Sequence, residues 1–150
     1  MDYQGILDRI HTAVQPVIGT GTVASYIPEL AKVSPSHFGI AVVDLDGKVY
    51  CAGDAERPFS IQSISKLFGL TLAFHLEGDS VWSRLGGDPP GPPFNSLVQL
   101  EYERGKPRNP FINAGALAVT DILLTHYAGK GGAENALIKF IRKLANRPDI

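Results

Sequence analysis

The sequence predicts a mixed α/β (α+β) fold in which helices pack on an antiparallel sheet, only part of which this chain supplies. Three observations carry the prediction. Residues 38–53, FGIAVVDLDGKVYCAG, hold two β-rich runs around an Asp-Gly turn. Apolar residues recur at helical spacing before and after that hairpin. The hairpin is also the one clear pair of strands, and two strands alone are marginal. The remaining strands are therefore expected beyond residue 150 or from another chain.

The elements follow in order. Residues 4–18 carry Ile6, Ile10, Val14 and Val17 as a helix stripe, with Pro16 near the end and Gly19 and Gly21 as breakers. Tyr26 to Leu30 opens a short connector. Phe38–Leu45 and Lys48–Cys51 read as strands joined at Asp46-Gly47, with a type I′ turn as the expected geometry. Asp44 and Asp46 lack the remaining ligands of a calcium loop, so a plain turn is expected there. Residues 63–77 predict a helix apolar nearly all round, hence buried, with Gly78 as its stop. Residues 83–110 hold Pro89, Pro90, Pro92, Pro93, Pro107 and Pro110, and predict a long functional loop. Residues 113–127 and 133–144 predict two further helices, the first closed by Gly129, the second amphipathic and followed by Pro148.

Composition narrows the function classes. At 150 residues, 44% hydrophobic and 19% charged, the chain is long enough to bury a core and is not a disordered segment. A net charge of −1 without charge runs does not suggest a nucleic-acid or anionic-membrane surface. The single cysteine, Cys51, supports neither a disulfide framework nor a cysteine metal cluster. The N-terminus lacks the basic and unbroken apolar regions of a signal peptide, and no apolar run has the length of a membrane span. A cytoplasmic setting is expected.

The chemistry concentrates in PFSIQSISKLFGLTLAF, residues 58–74. Ser63 and Lys66 stand three residues apart, which places both on one helix face. A serine hydroxyl is a poor nucleophile until a base takes its proton. Lysine serves as that base when apolar neighbours favour its neutral form, and Ile64, Leu67, Phe68 and Leu70 flank Lys66. The helix N-terminus would suit an oxyanion. The alternative is structural: Ser60 or Ser63 caps the helix and Lys66 reaches out to water. Ser60 has no lysine one turn on, and Ser65 points to another side of the helix from Lys66. His11, His37, His75 and His126 are scattered without metal-ligand spacing, so no metal is expected. Gly129-Lys130-Gly131-Gly132 lacks the upstream glycine and the following Ser or Thr of a phosphate loop.

Three blocks in order widen the pattern: YIPELAKVSP at 26–35, FSIQSISK at 59–66 and GKPRNPFINAGAL at 105–117. Together they resemble the serine-dependent glutaminases, of the β-lactamase/DD-peptidase-like fold. The resemblance implies hydrolysis of L-glutamine to L-glutamate and ammonia through a serine acyl-enzyme, with no cofactor. It implies Ser63 as nucleophile, Lys66 as general base beside a tyrosine, and the Ser63 N–H as half of an oxyanion hole. It implies that Tyr26 and Gln62 contact the substrate and that Asn113 binds its α-amino-acid end. Dimers or tetramers are common in the family, so a homo-oligomer is expected.

Family members are longer, and residues 1–150 would be the N-terminal part of a single glutaminase domain. The rest would bring a glutamate, a second asparagine, two tyrosines and the other oxyanion donor. Loss of one such donor costs on the order of 10²–10³ in turnover, so little activity is expected of these residues alone. Two rivals remain at this point. One is a β-lactamase or penicillin-binding protein, although the S-D-N and K-T-G elements are absent from these residues. The other is a non-catalytic binding module that uses the 86–110 loop.

Overall fold

The computed structural model describes residues 1–89, 100–101 and 104–149. They form two compact units, Met1–Ser60 and Ile61–Ile150.

The first unit is a helix, a connector and a hairpin. Helix α1, Tyr3–Val14, starts at Asp2, whose Oδ1 accepts the Gly5 N–H (2.9 Å). Pro16 does not extend α1: residues Gln15–Val17 tighten into a 3₁₀ turn instead of carrying the predicted helix to 18. A single α-helical turn, α2, covers Pro28–Ala31. Strands β1, Gly39–Val43, and β2, Val49–Gly53, pair antiparallel with Ala41 opposite Cys51. α1 packs on this hairpin: Gln4 Nε2 donates to the Cys51 carbonyl (2.9 Å), and the rings of Tyr3 and Tyr50 meet at 5.3 Å.

The turn departs from the type I′ expectation. That type needs positive φ at both central residues, and of Asp46 and Gly47 only Gly47 has it (φ 80°). The five-residue connection is organised by Asp44 instead. Its Oδ1 accepts the N–H groups of Asp46 (3.0 Å) and Lys48 (2.9 Å), and its Oδ2 accepts the Tyr50 hydroxyl (3.0 Å). These bonds set the carboxyl below its ordinary range. The Lys48 N–H contributes most, burial opposes it, and Tyr50 and Asp46 add to the lowering. The Tyr50 hydroxyl is pushed up, by burial first and then by donating to that carboxylate.

The second unit is helical. A 3₁₀ turn, Gln62–Ile64, leads into α3, Ser65–Glu77, which ends at Gly78 with positive φ. The short helix α4 covers Val81–Arg84. Residues 86–88 then run beside 107–108, with Gly86 N–H donating to the Pro107 carbonyl (2.8 Å) and Asp88 N–H to the Arg108 carbonyl (2.9 Å). Much of the predicted proline loop, including Pro90, Pro92 and Pro93, lies outside the described residues. Helix α5, Asn113–His126, and helix α6, Ala133–Ala145, follow; α6 stops at Asn146 in the left-handed conformation.

Leu72, Ala73, Val81, Leu85, Val119, Ile122, Leu123 and Ala133 form the core of this unit, joining α3 to α5 and α6. The wholly buried α3 that its composition predicts is not observed. Gly69, Leu72 and Ala73 face the core, while Leu67 and Phe74 are 52% and 43% exposed. The helices packed on α3 cover one of its faces, and apolar residues continue onto the other.

Candidate active site

Ser63 sits in the 3₁₀ turn, two residues before α3, whereas its sequence predicts an α-helix that begins at Ser63 itself. The turn is entered through Gln62, whose φ of 46° is left-handed in a residue other than glycine. Such backbone costs of order 1–3 kcal/mol and persists where its surroundings over-determine it, often at active sites. The Ser65 hydroxyl donates back to the Gln62 carbonyl (2.7 Å), which commits Ser65 to holding the turn. Ser63 is exposed, and its hydroxyl makes no hydrogen bond among the described residues.

Lys66 lies in the first turn of α3 and is half-buried, less enclosed than an all-apolar helix implies. Its Nζ donates to the Phe111 carbonyl (2.9 Å) and to Asn113 Oδ1 (2.8 Å). Asn113 opens α5, so the start of one helix is tied to the start of another across 47 residues of sequence. The stoichiometry matters. A lysine nitrogen has three positions besides its carbon, each open to a hydrogen-bond partner. The two acceptors engage two of these positions and leave the third without a partner among the described residues.

The acceptors are themselves held. Asn109 Oδ1 accepts the N–H groups of Phe111 (2.9 Å) and Ile112 (3.2 Å), and its Nδ2 donates to the Asp88 carbonyl (2.9 Å). Gly115 lets this segment lie against α5: a Cβ there would run into the Asn109 carbonyl oxygen and approach Pro110 Cα to 2.8 Å. Asn109 and the Phe111 carbonyl are the parts of the site that sequence reasoning missed. A backbone acceptor leaves no side-chain signature, but the Asn109-Pro110 pair is a turn signal.

Of the predicted site residues, Lys66 and Asn113 are in direct contact, and Gln62 and Ser63 lie one turn before Lys66. No hydrogen bond joins Ser63 to Lys66. Tyr26 belongs to the first unit and is 80% exposed. That unit also carries an open groove of about 670 Å³ lined by residues such as Leu30, His37, Ile40 and Arg57. None of Tyr26, Gln62, Ser63, Lys66 or Asn113 lines it. Among the described residues no cluster of three His, Cys, Asp or Glu side chains is placed to hold a metal, and no helix is long and apolar enough to cross a membrane.

An exposed serine hydroxyl thus stands ahead of a lysine held by two oxygen acceptors, an arrangement that a serine acyl-transfer reaction could use. The family is given by comparison: the Glutaminase sequence model matches residues 21–150, and the chain belongs to that family. A glutaminase of Ralstonia nicotianae is 57% identical over the whole chain, and one of Rhizobium leguminosarum is 57% identical over 149 residues. In each case the chain spans about half (48%) of the relative's length. Among solved structures, Mglu in a tris and glutamate form is 36% identical with a TM-score of 0.84, covering 98% of this chain and 32% of that one. A probable glutaminase from Bacillus subtilis complexed with 6-diazo-5-oxo-L-norleucine is 31% identical with a TM-score of 0.75, covering 98% of this chain and 43% of that one. The glutaminase family, and with it the β-lactamase-like fold of which the hairpin and helices are a part, is thereby chosen over the β-lactamase and penicillin-binding alternatives.

Proposed function

We propose that this chain carries the nucleophile and base of a glutaminase, an amide hydrolase that converts L-glutamine and water to L-glutamate and ammonia. The observation that carries it is the pair of hydrogen bonds from Lys66 Nζ to the Phe111 carbonyl and Asn113 Oδ1. The names of the relatives and the glutamate form of Mglu support the substrate.

In this scheme Ser63 Oγ attacks the side-chain amide carbon of glutamine and gives its proton to Lys66. The tetrahedral intermediate collapses, the C–N bond breaks, and Lys66 returns the proton to the departing ammonia. Water then attacks the serine ester, Lys66 takes and returns one proton again, and glutamate leaves. One base thus serves both halves of the reaction. The Ser63 N–H, at the entry of the 3₁₀ turn, is one donor to the oxyanion. Asn113 has a free amide nitrogen end to offer the α-amino-acid group once its oxygen is held by Lys66, and Gln62 supplies a further polar contact; a substrate contact from Tyr26 rests on the resemblance alone. Self-association belongs to the same proposal on the resemblance alone, and a cytoplasmic setting on composition alone.

The test is ammonia release from L-glutamine by the whole protein and by its Ser63→Ala variant, with L-asparagine and a penicillin as controls. Glutamine-specific release that the substitution abolishes supports the proposal. Release that survives Ser63→Ala would overturn it.

A further inference from the structure

We infer that Asn109 is the positioning residue for Lys66: its side chain fixes the turn that presents both oxygen acceptors to the lysine. The inference rests on the assignment of Lys66 as the base, and it adds a residue that touches neither substrate nor Lys66. Four observations lead to it.

The acceptors of Lys66 are the carbonyl of residue 111 and the side chain of residue 113. Both lie within four residues of Asn109, and the N–H groups between them are held by one atom, Asn109 Oδ1. Ile112, the residue capping α5, makes no side-chain cap bond of its own, and its backbone N–H is held by Asn109 Oδ1 instead. The other end of the Asn109 amide is anchored on the Asp88 carbonyl, in the 86–88 stretch already tied to 107–108. Finally, the Asn109 carbonyl packs so closely on α5 that residue 115 must lack a Cβ. The side chain is therefore clamped on one side and clamps on the other. A carbonyl that rotated away at residue 111 would free one Lys66 N–H and loosen the hold on the amine.

Asn109 is suited to this by its chemistry. Its carbonyl oxygen closes an Asx turn over the next residues, and its NH₂ makes the anchoring bond at the same time. Asp keeps the first function and loses the second. Gln carries both groups one methylene too far out to close the turn. Ala carries neither.

Those differences define the test, which reads Lys66 directly and needs no turnover. The parent protein and its Asn109→Ala, Asn109→Gln and Asn109→Asp variants are exposed briefly to a limiting amine-acylating reagent. Modification at each lysine is then counted by peptide mass spectrometry. Lys66 labelling is expected to rise about fivefold in Asn109→Ala and Asn109→Gln, the ratio for loss of one net hydrogen bond. Asn109→Asp is expected to stay within about twofold of the parent, since the turn bonds survive. Lys106 and Lys130 serve as internal references and should not move. If Asn109→Ala fails to fold, Asn109→Gln decides.

Parental Lys66 labelling in the folded Ala or Gln variant would overturn the inference. An equal rise in Asn109→Asp would overturn it too, because it would assign the effect to the Asp88 anchor rather than the turn. Modification of Ser63 by 6-diazo-5-oxo-L-norleucine, measured on the same samples, separates this outcome from the functional proposal. A parent whose Ser63 does not react would count against the glutaminase assignment and leave the Lys66 result standing.

Discussion

Gly115→Ala is the substitution whose consequences the structure fixes most closely. The added Cβ meets backbone atoms, which have no rotamer to retreat into. Besides the Asn109 carbonyl oxygen, it would stand 2.8 Å from Pro110 Cα and 2.9 Å from the Asn109 carbonyl carbon. Restoring ordinary contact at Pro110 alone requires a shift of about 0.6 Å, and the oxygen demands more. Overpacking of this kind costs ~1–3 kcal/mol, and the better helix propensity of alanine returns up to ~1 kcal/mol. The net loss of stability is therefore at most about 3 kcal/mol. The shift falls on the segment that holds the Phe111 carbonyl and the start of α5. Displacement of catalytic groups by about 1 Å can cost 10²-fold, so turnover should fall between about 10- and 100-fold. Urea denaturation measures the first quantity and ammonia release from L-glutamine the second. A variant that loses the stability yet keeps parental turnover would refute the link between the 109–112 segment and Lys66.

Other substitutions probe separate links. Lys66→Arg keeps the positive charge but cannot give up a proton, so turnover should drop by about 10²–10⁴; an active arginine variant would remove the lysine from the role of base. Leu85→Ala, at a side chain 1% exposed, should cost about 2–5 kcal/mol in denaturant unfolding, and a smaller loss would mean that this part of the core is not as close-packed as it stands. The hairpin has a pH signature. The Asp44 carboxyl is lowered from 3.8, so its contribution to stability is present above that value and is lost as pH falls through the lower, folded one. Tyr50 and Lys48 resonances should therefore titrate below pH 3.8 and not in Asp44→Asn; titration above that value would contradict the Asp44-centred turn.

The residues that announce themselves in the sequence are those whose partners are near in sequence. Ser63 and Lys66 are readable because one helical turn links them, and Ile6, Ile10 and Val14 mark α1 for the same reason. The partnership of Lys66 with Asn113 spans 47 residues and obeys no local period, so only the resemblance of whole blocks suggests that both serve one site. The left-handed backbone at Gln62 is hidden because glycine, the usual marker of positive φ, is absent there. Asp46-Gly47 looked like a two-residue turn, but the Asp44 carboxylate captured two backbone N–H groups and drew the connection out to five residues. Helix α3 shows the limit of composition. Leu67 and Phe74 belong to an apolar run, yet an apolar run does not say which faces its neighbours will cover.

The central claim is that Ser63 is a nucleophile made reactive by Lys66. The most direct measurement is peptide mapping after treatment with 6-diazo-5-oxo-L-norleucine, in the parent and in Lys66→Met. A nucleophilic hydroxyl would bond to the diazo-bearing carbon with loss of dinitrogen. The account predicts a mass gain equal to the reagent less N₂, confined to Ser63 and lost in Lys66→Met. Modification at Ser60 or Ser65 instead, or undiminished modification of Ser63 without Lys66, would contradict it.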